Sequence, residues 1–232
     1  MKNHELLKQC IESSSLSQGR TSSELEQLIR FGILIGSSPS LCLGLYDFYQ
    51  SDAQRYDASG SGIPKFFAYK ENAVIRFSAD GKDFSLPSSE FFVFLGLVSD
   101  ACLPVLPLGS VVSIRDERLR QGTKTGTEEL PNMEIPVLIT ERFSVLPGTL
   151  IYFPYGGVPY PFGAITKNGA LYFGPQSIRE TVFTGYSDAL EEEFESKIRE
   201  ELLLKKKFHS MAFASKEEIQ NIDEAAINAL GN

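Results

Sequence analysis

The sequence predicts an α+β fold, with small antiparallel sheets, packed helices and a long amphipathic helix near the C-terminus. Three observations predict it. Apolar residues recur at helical spacing near both ends of the chain, while its middle alternates at strand spacing between short turns. Between these patterns, residues 103–108 hold Pro104 and Pro107. Each proline restricts itself and its predecessor, so this joint divides the chain into a module at 1–102 and a second at 103–232.

Leu6, Leu7, Cys10 and Ile11 give a first helical stripe, ended by the serine-rich joint at 13–17. Thr21 with Glu24 forms a capping box for a second helix whose face carries Leu25, Leu28 and Ile29. Residues 31–46 are uncharged but broken by Ser37, Ser38, Pro39 and Ser40. They fall short of the roughly 20 continuous apolar residues a membrane span needs, and read as core split by a turn. Residues 50–64 read as a loop. Its Gly60 and Gly62 lack the strand, third glycine and lysine of a phosphate-binding loop. From Lys65 the pattern is a meander of three strands with turns at Glu71–Asn72 and Asp80–Gly81. Residues 88–98 then read as a buried helix capped by Ser88 or Ser89, with a core strand as the alternative because Phe and Val favour extended chain.

Beyond the proline joint come a strand from Ser110, a polar loop at 116–132 and a strand at 134–145 that exits through Leu146, Pro147, Gly148 and Thr149. A glycine, proline and tyrosine corner follows, then a strand at 170–174 entered through Asn168–Gly169, and a last extended segment at 177–186. Leu190, Phe194, Ile198 and Leu202 fall at i, i+4 steps and predict one apolar stripe on a long helix. The acid-before-base pairs Glu193/Lys197, Glu195/Arg199 and Glu201/Lys205 are expected on its solvated face. A final helix is expected from Ser215, where Glu218 completes a capping box and Ile219, Ile222, Ala226 and Leu230 form a stripe.

Composition acts mainly by exclusion. In 232 residues, 42% hydrophobic and 22% charged, the chain is long enough for a core without covalent staples. Thirty acids against twenty-two bases give a net charge of −8, the wrong sign for nucleic acid or an anionic membrane surface. Three scattered cysteines, Cys10, Cys42 and Cys102, fit small buried hydrophobes in a reducing compartment, and no apolar run marks the N-terminus for export. The expected location is therefore the cytoplasm. His4 and His209 read as surface residues, and no spacing suggests a metal site or a cofactor. Asp100, Glu134, Glu141 and Asp188 are the carboxylates placed for general acid/base work, but none sits in a recognisable motif, so no catalytic residue is assigned. A carboxylate-based hydrolase is the remote alternative. The aromatic corner offers the best surface chemistry: Tyr152, Tyr155, Tyr160 and Phe162 stand on a proline and glycine frame and are the expected partner-binding residues. The competing reading is that the same rings fill the core of a small sheet.

Five blocks carry a further signal: LPLGSVV (106–112), VLITER (137–142), YGGVPYPFG (155–163), ALYFG (170–174), and SIRETVFTGYSDALEEEFESKIREEL (177–202). In this order, over about residues 103–206, they resemble the domain of unknown function 4176 family. The chain departs from the family pattern where Glu141 replaces a glycine, where Phe162 replaces an acid, and in the loop at 116–132. The resemblance implies a cytosolic accessory protein of Gram-positive type VII secretion that binds a cognate LXG-type toxin as chaperone or targeting adaptor. An immunity protein that neutralises the toxin is the alternative in the same setting.

Overall fold

The computed structural model describes residues 3–58, 65–115, 136–161, 163 and 171–214. They form an α+β fold, and the chain divides into two compact units. The first comprises residues 1–104 with 194–207, and the second 105–193 with 208–232.

The first unit begins with α1 (Asn3–Glu12), whose Leu6, Leu7, Cys10 and Ile11 are all buried as their spacing predicts. Ser14 caps a short 3-10 turn, Ser15–Ser17. The Thr21/Glu24 capping box is formed in full at the start of α2 (Ser22–Gly36). Hydrogen bonds from the Thr21 backbone and then its hydroxyl hold the Glu24 carboxyl below the usual carboxylate range. The serine and proline break separates α2 from α3 (Pro39–Gln50), where Ser38 accepts a hydrogen bond from the Leu41 N–H at 3.3 Å. Among the described residues no single helix is long and apolar enough to cross a membrane, and α2 and α3 meet at a bend of 107°.

The loop expected over 50–64 contains a strand, β1 (Arg55–Ala58), which adds to the meander β2 (Phe66–Glu71), β3 (Val74–Ala79) and β4 (Lys82–Pro87) in the antiparallel order β1-β2-β3-β4. The sequence hid β1 because RYDA alternates over only four residues and none of them is fully buried. Asp80 and Gly81 both take positive φ, as a two-residue hairpin requires. Residues 88–98 belong to a helix, α4 (Ser88–Cys102), which settles the helix-or-strand alternative. Its cap differs from expectation: the N-cap is Pro87, and no side chain completes it. Phe77 is the hub of the core, with its ring centroid 4.8 Å from that of Phe31 and within 6.3 Å of those of Phe66, Phe84, Phe91 and Phe94. Gly36 lets α2 approach α4, because a Cβ there would lie 2.6 Å from Cys102 Cβ.

The long helix, α5 (Ala189–Arg199), continues as a π-helical turn at Glu200–Lys205. The expected single stripe is broken: Leu190 and Phe194 are exposed while Leu202 and Leu203 are buried. The two buried leucines lie within the π turn, whose pitch differs from that of the helix before it. Arg199, expected on the solvated face, is 2% exposed. Its guanidinium donates to the carbonyls of Asp100, at 3.1 Å, and Leu103, and pairs with Glu195 at 2.8 Å. The cation thus satisfies carbonyls at the end of α4, where the helix dipole is negative.

In the second unit the strands β5 (Val111–Ile114), β6 (Val137–Val145), β7 (Ile151–Pro159), β8 (Leu171–Phe173), β9 (Ile178–Phe183) and β10 (His209–Ser210) form one sheet in the order β10-β7-β6-β5-β9, with β8 also on β7. The pairs are antiparallel except β10 with β7. Val112, Ile114, Val137, Ile139, Tyr155 and Phe173 form the core, with Val105, Leu106, Leu171 and Ile178 packed against it. The loops at 59–62 and 116–132, the Asn168–Gly169 turn and the helix expected from Ser215 lie outside the described residues.

Two measurements test this packing. Arg199→Ala should lower stability by about 3 kcal/mol, because it strips two buried carbonyls of their donor and leaves Glu195 unpaired. Arg199→Lys should recover only part of that in thermal melts, since an ammonium cannot span all three acceptors. Burial pushes the Cys10 thiol up to about 12 and the Cys102 thiol up to about 11, and raises Cys42 as well. All three are free and buried. Iodoacetamide at pH 8 should therefore leave the native thiols unmodified and alkylate all three in denaturant. A raised folded value means stability is held below the unfolded thiol value, near 8.5–9, and lost as pH climbs through the folded ones. Denaturation midpoints should fall between about pH 9 and 12.

Candidate interaction surface

The four residues expected to bind a partner do not share a surface. Tyr152 and Tyr155 both lie on β7 and are 3% and 1% exposed. Tyr155 stacks near Phe173, with centroids 5.5 Å apart, and its phenol oxygen accepts the Leu106 N–H at 3.0 Å. The ring fills the sheet core and its polar tip holds the proline joint. Tyr152 lies 6.1 Å from the Phe143 ring. Tyr160, at the end of the corner, is 57% exposed and its N–H donates to the Pro136 carbonyl. Phe162 lies outside the described residues.

Among the described residues, a run of exposed apolar side chains lies instead on the segment from β9 into α5. Val182, Phe183, Tyr186 and Leu190 are 58%, 61%, 82% and 73% exposed. Exposed apolar groups clustered in this way mark interaction sites more often than scattered ones do. The segment is held from below at two points. The Ser110 hydroxyl, fully buried, donates to the Pro107 carbonyl at 2.7 Å and accepts the Gly185 N–H at 2.9 Å. Gly185 is required there, because a Cβ would come within 2.1 Å of the Leu108 carbonyl oxygen. The tight seat places Tyr186 beside the turn that carries Leu108, itself about half exposed. Further on, the Asp188 carboxylate accepts the Glu191 N–H at 3.0 Å, an N-cap bond that starts α5. Glu191 then pairs with Arg142 of β6, whose side chain is 4% exposed against 21% for Glu191. Gly185 and Glu191 thus fix the two ends of a short arc, and Tyr186 and Leu190 project from it without support of their own.

Two of the carboxylates considered for catalysis, Asp188 and Glu141, have structural partners here. Asp188 is the cap just described. Glu141, on β6 beside a register irregularity, accepts hydrogen bonds from the Tyr172 hydroxyl at 3.1 Å and from Ser144 at 3.2 Å. Burial first, and then this acceptor, hold the Tyr172 phenol above its usual range. Asp100 lies buried on α4 in the first unit, and Glu134 lies outside the described residues. Sequence reasoning missed Val182, Phe183 and Leu190 as surface residues. The available signal was the adjacent pair Val182–Phe183, which breaks strand alternation just before Gly185.

Glu191→Gln should test the lower anchor. The substitution takes the Glu191 charge away from the buried Arg142, at a cost of about 3 kcal/mol, toward the low end for buried pairs because Glu191 keeps some contact with water. Hydrogen exchange should quicken over 186–192 before it does so in β6.

Residues 129–194 match the model of the family described as Domain of unknown function (DUF4176), the family that the sequence motifs resemble. The matched stretch includes β6 to β9, the Gly185 seat and the Arg142–Glu191 pair. No curated protein and no solved structure matches the chain.

Proposed function

We propose that the protein is a cytoplasmic accessory factor of type VII secretion that binds a cognate LXG-type toxin as chaperone or targeting adaptor. The observation that carries this reading is the rigidly seated apolar arc from Val182 to Leu190, which lies within the family match. A binding surface gains most from large side chains that lose little freedom on association. Phe183 and Tyr186 meet that condition, since the backbone between them is fixed by the Ser110–Gly185 bond. Tyrosine adds an apolar ring with a polar tip, the residue type enriched among interface anchors. Acidic residues flank the arc in sequence, Glu180 just before it and Glu192 just after, and the chain as a whole carries −8. That rim would steer a basic partner surface toward the arc and would matter more for association rate than for final affinity.

Tagged protein should copurify the LXG-type toxin encoded beside its gene, and deletion of the gene should stop export of that toxin. Phe183→Ala combined with Tyr186→Ala should weaken the complex about 100-fold, the loss expected from truncating two anchors, with thermal stability nearly unchanged because both side chains are already in water. Normal toxin export after deletion would overturn the reading. Survival of cells that express the toxin domain together with this protein would instead assign it an immunity role.

A further inference from the structure

We propose that the outer edge of β9 receives an extended strand of the partner, so that the toxin adds a strand to the six-stranded sheet; this rests on the toxin-binding reading above. The arc explains how side chains could be recognised, and the strand beside it supplies a second, independent kind of recognition. β9 stands at the end of the sheet order, and among the described residues only β5 pairs with it. Residues 179–183 are all exposed. Among the described residues no second strand pairs with its outer side, and β9 is longer than β10, the two-residue strand at the opposite end of the sheet order. An open row of main-chain donors and acceptors selects one kind of occupant, a chain in extended conformation.

Edge strands are normally defended, and the other sheet shows how. β4 opens on Lys82 and closes on Pro87, both of which discourage pairing. β1 is four residues long, and its Arg55 lies over the rings of Phe67 and Tyr69. β9 has six residues with neither lysine nor proline; its charges are the opposed pair Arg179 and Glu180, and it ends in the exposed apolar pair Val182–Phe183. The Gly185 seat holds its C-terminal end in place, so little ordering is needed before a guest pairs. The side chains define that guest further. Two register irregularities between β5 and β9 increase the local twist and favour a short partner strand of roughly four to six residues. A β-branched or aromatic residue opposite Val182 and a basic residue opposite Glu180 would give favourable cross-strand pairs.

The test uses the full chain with the LXG-type toxin encoded beside it. Hydrogen exchange measured on the free protein and on the complex should show amides within 178–183 slowed at least tenfold by the toxin. Glu180 and Thr181 lie in uninterrupted register opposite Ser113 and Val112, so their N–H groups point to opposite sides of β9. Of Glu180→Pro and Thr181→Pro, one should therefore lower the melting temperature, while the other keeps it and weakens the complex at least tenfold. A complex that forms with exchange in 178–183 unchanged would overturn strand addition and leave toxin binding standing. Failure of the toxin to bind at all would overturn both. A dimer of the free protein in light scattering, with 178–183 already protected, would overturn the toxin strand as occupant and assign the edge to a second copy.

Discussion

The buried pair of Arg142 and Glu191 is the constraint on which the candidate surface depends. A guanidinium that is nearly dry on the sheet must keep a carboxylate beside it, because the energetic cost of an uncompensated buried charge exceeds most other local effects. The only freedom left to the chain between β9 and α5 is then the short arc from Gly185 to Glu191, and its first residue is seated on Ser110. Apolar side chains in a loose loop would fold onto the nearest core. Here both ends are fixed too closely for Tyr186 and Leu190 to turn inward, and they stay in water. Exposure of this surface is thus imposed by electrostatics underneath it.

A second buried guanidinium, Arg199, acts by a different route. It serves as a donor to main-chain carbonyls at the end of α4, which a solvent-facing cap would otherwise satisfy. Burying the cation is tolerable because three acceptors surround it and because the end of a helix is already negative. The π turn that follows lets Leu202 and Leu203 both reach the core just after the buried arginine.

These two arginines also mark where the sequence stops being legible. Local rules worked where local physics decides: the capping box at Thr21, the serine and proline break before α3, the Asp80–Gly81 hairpin and the helical stripe of α1 all stand where spacing puts them. The α+β class follows from the same signals. Glu195/Arg199 had the spacing of a surface pair and forms one, but its burial is set by the carbonyls of α4, about a hundred positions away, and no local pattern encodes that. β1 was missed for a related reason: its pairing with β2 supplies what its own side chains do not. The candidate site was legible in part. Motif order led to the family match, while the aromatic corner drew attention by composition. Both rings are buried because β7 is an inner strand of the sheet, a placement that no local pattern encodes.

That contrast bears on what sort of surface an accessory protein can present. Aromatic side chains on a central strand such as β7 are claimed by the sheet itself, since its three neighbouring strands and its own core compete for them. Residues on an edge strand and on the turn beyond it have no such claimants, and remain available if the backbone beneath them is fixed. β9 and the arc after it meet both conditions, with β5 on one side only and buried hydrogen bonds below. An edge left without lysine or proline is a hazard for self-association, so its retention next to an apolar, acid-rimmed arc makes physical sense if a partner covers both together. A strand and an adjacent aromatic anchor would then be read as one unit. The main chain would give affinity for any extended segment, and the arc with its charge would decide which segment is accepted.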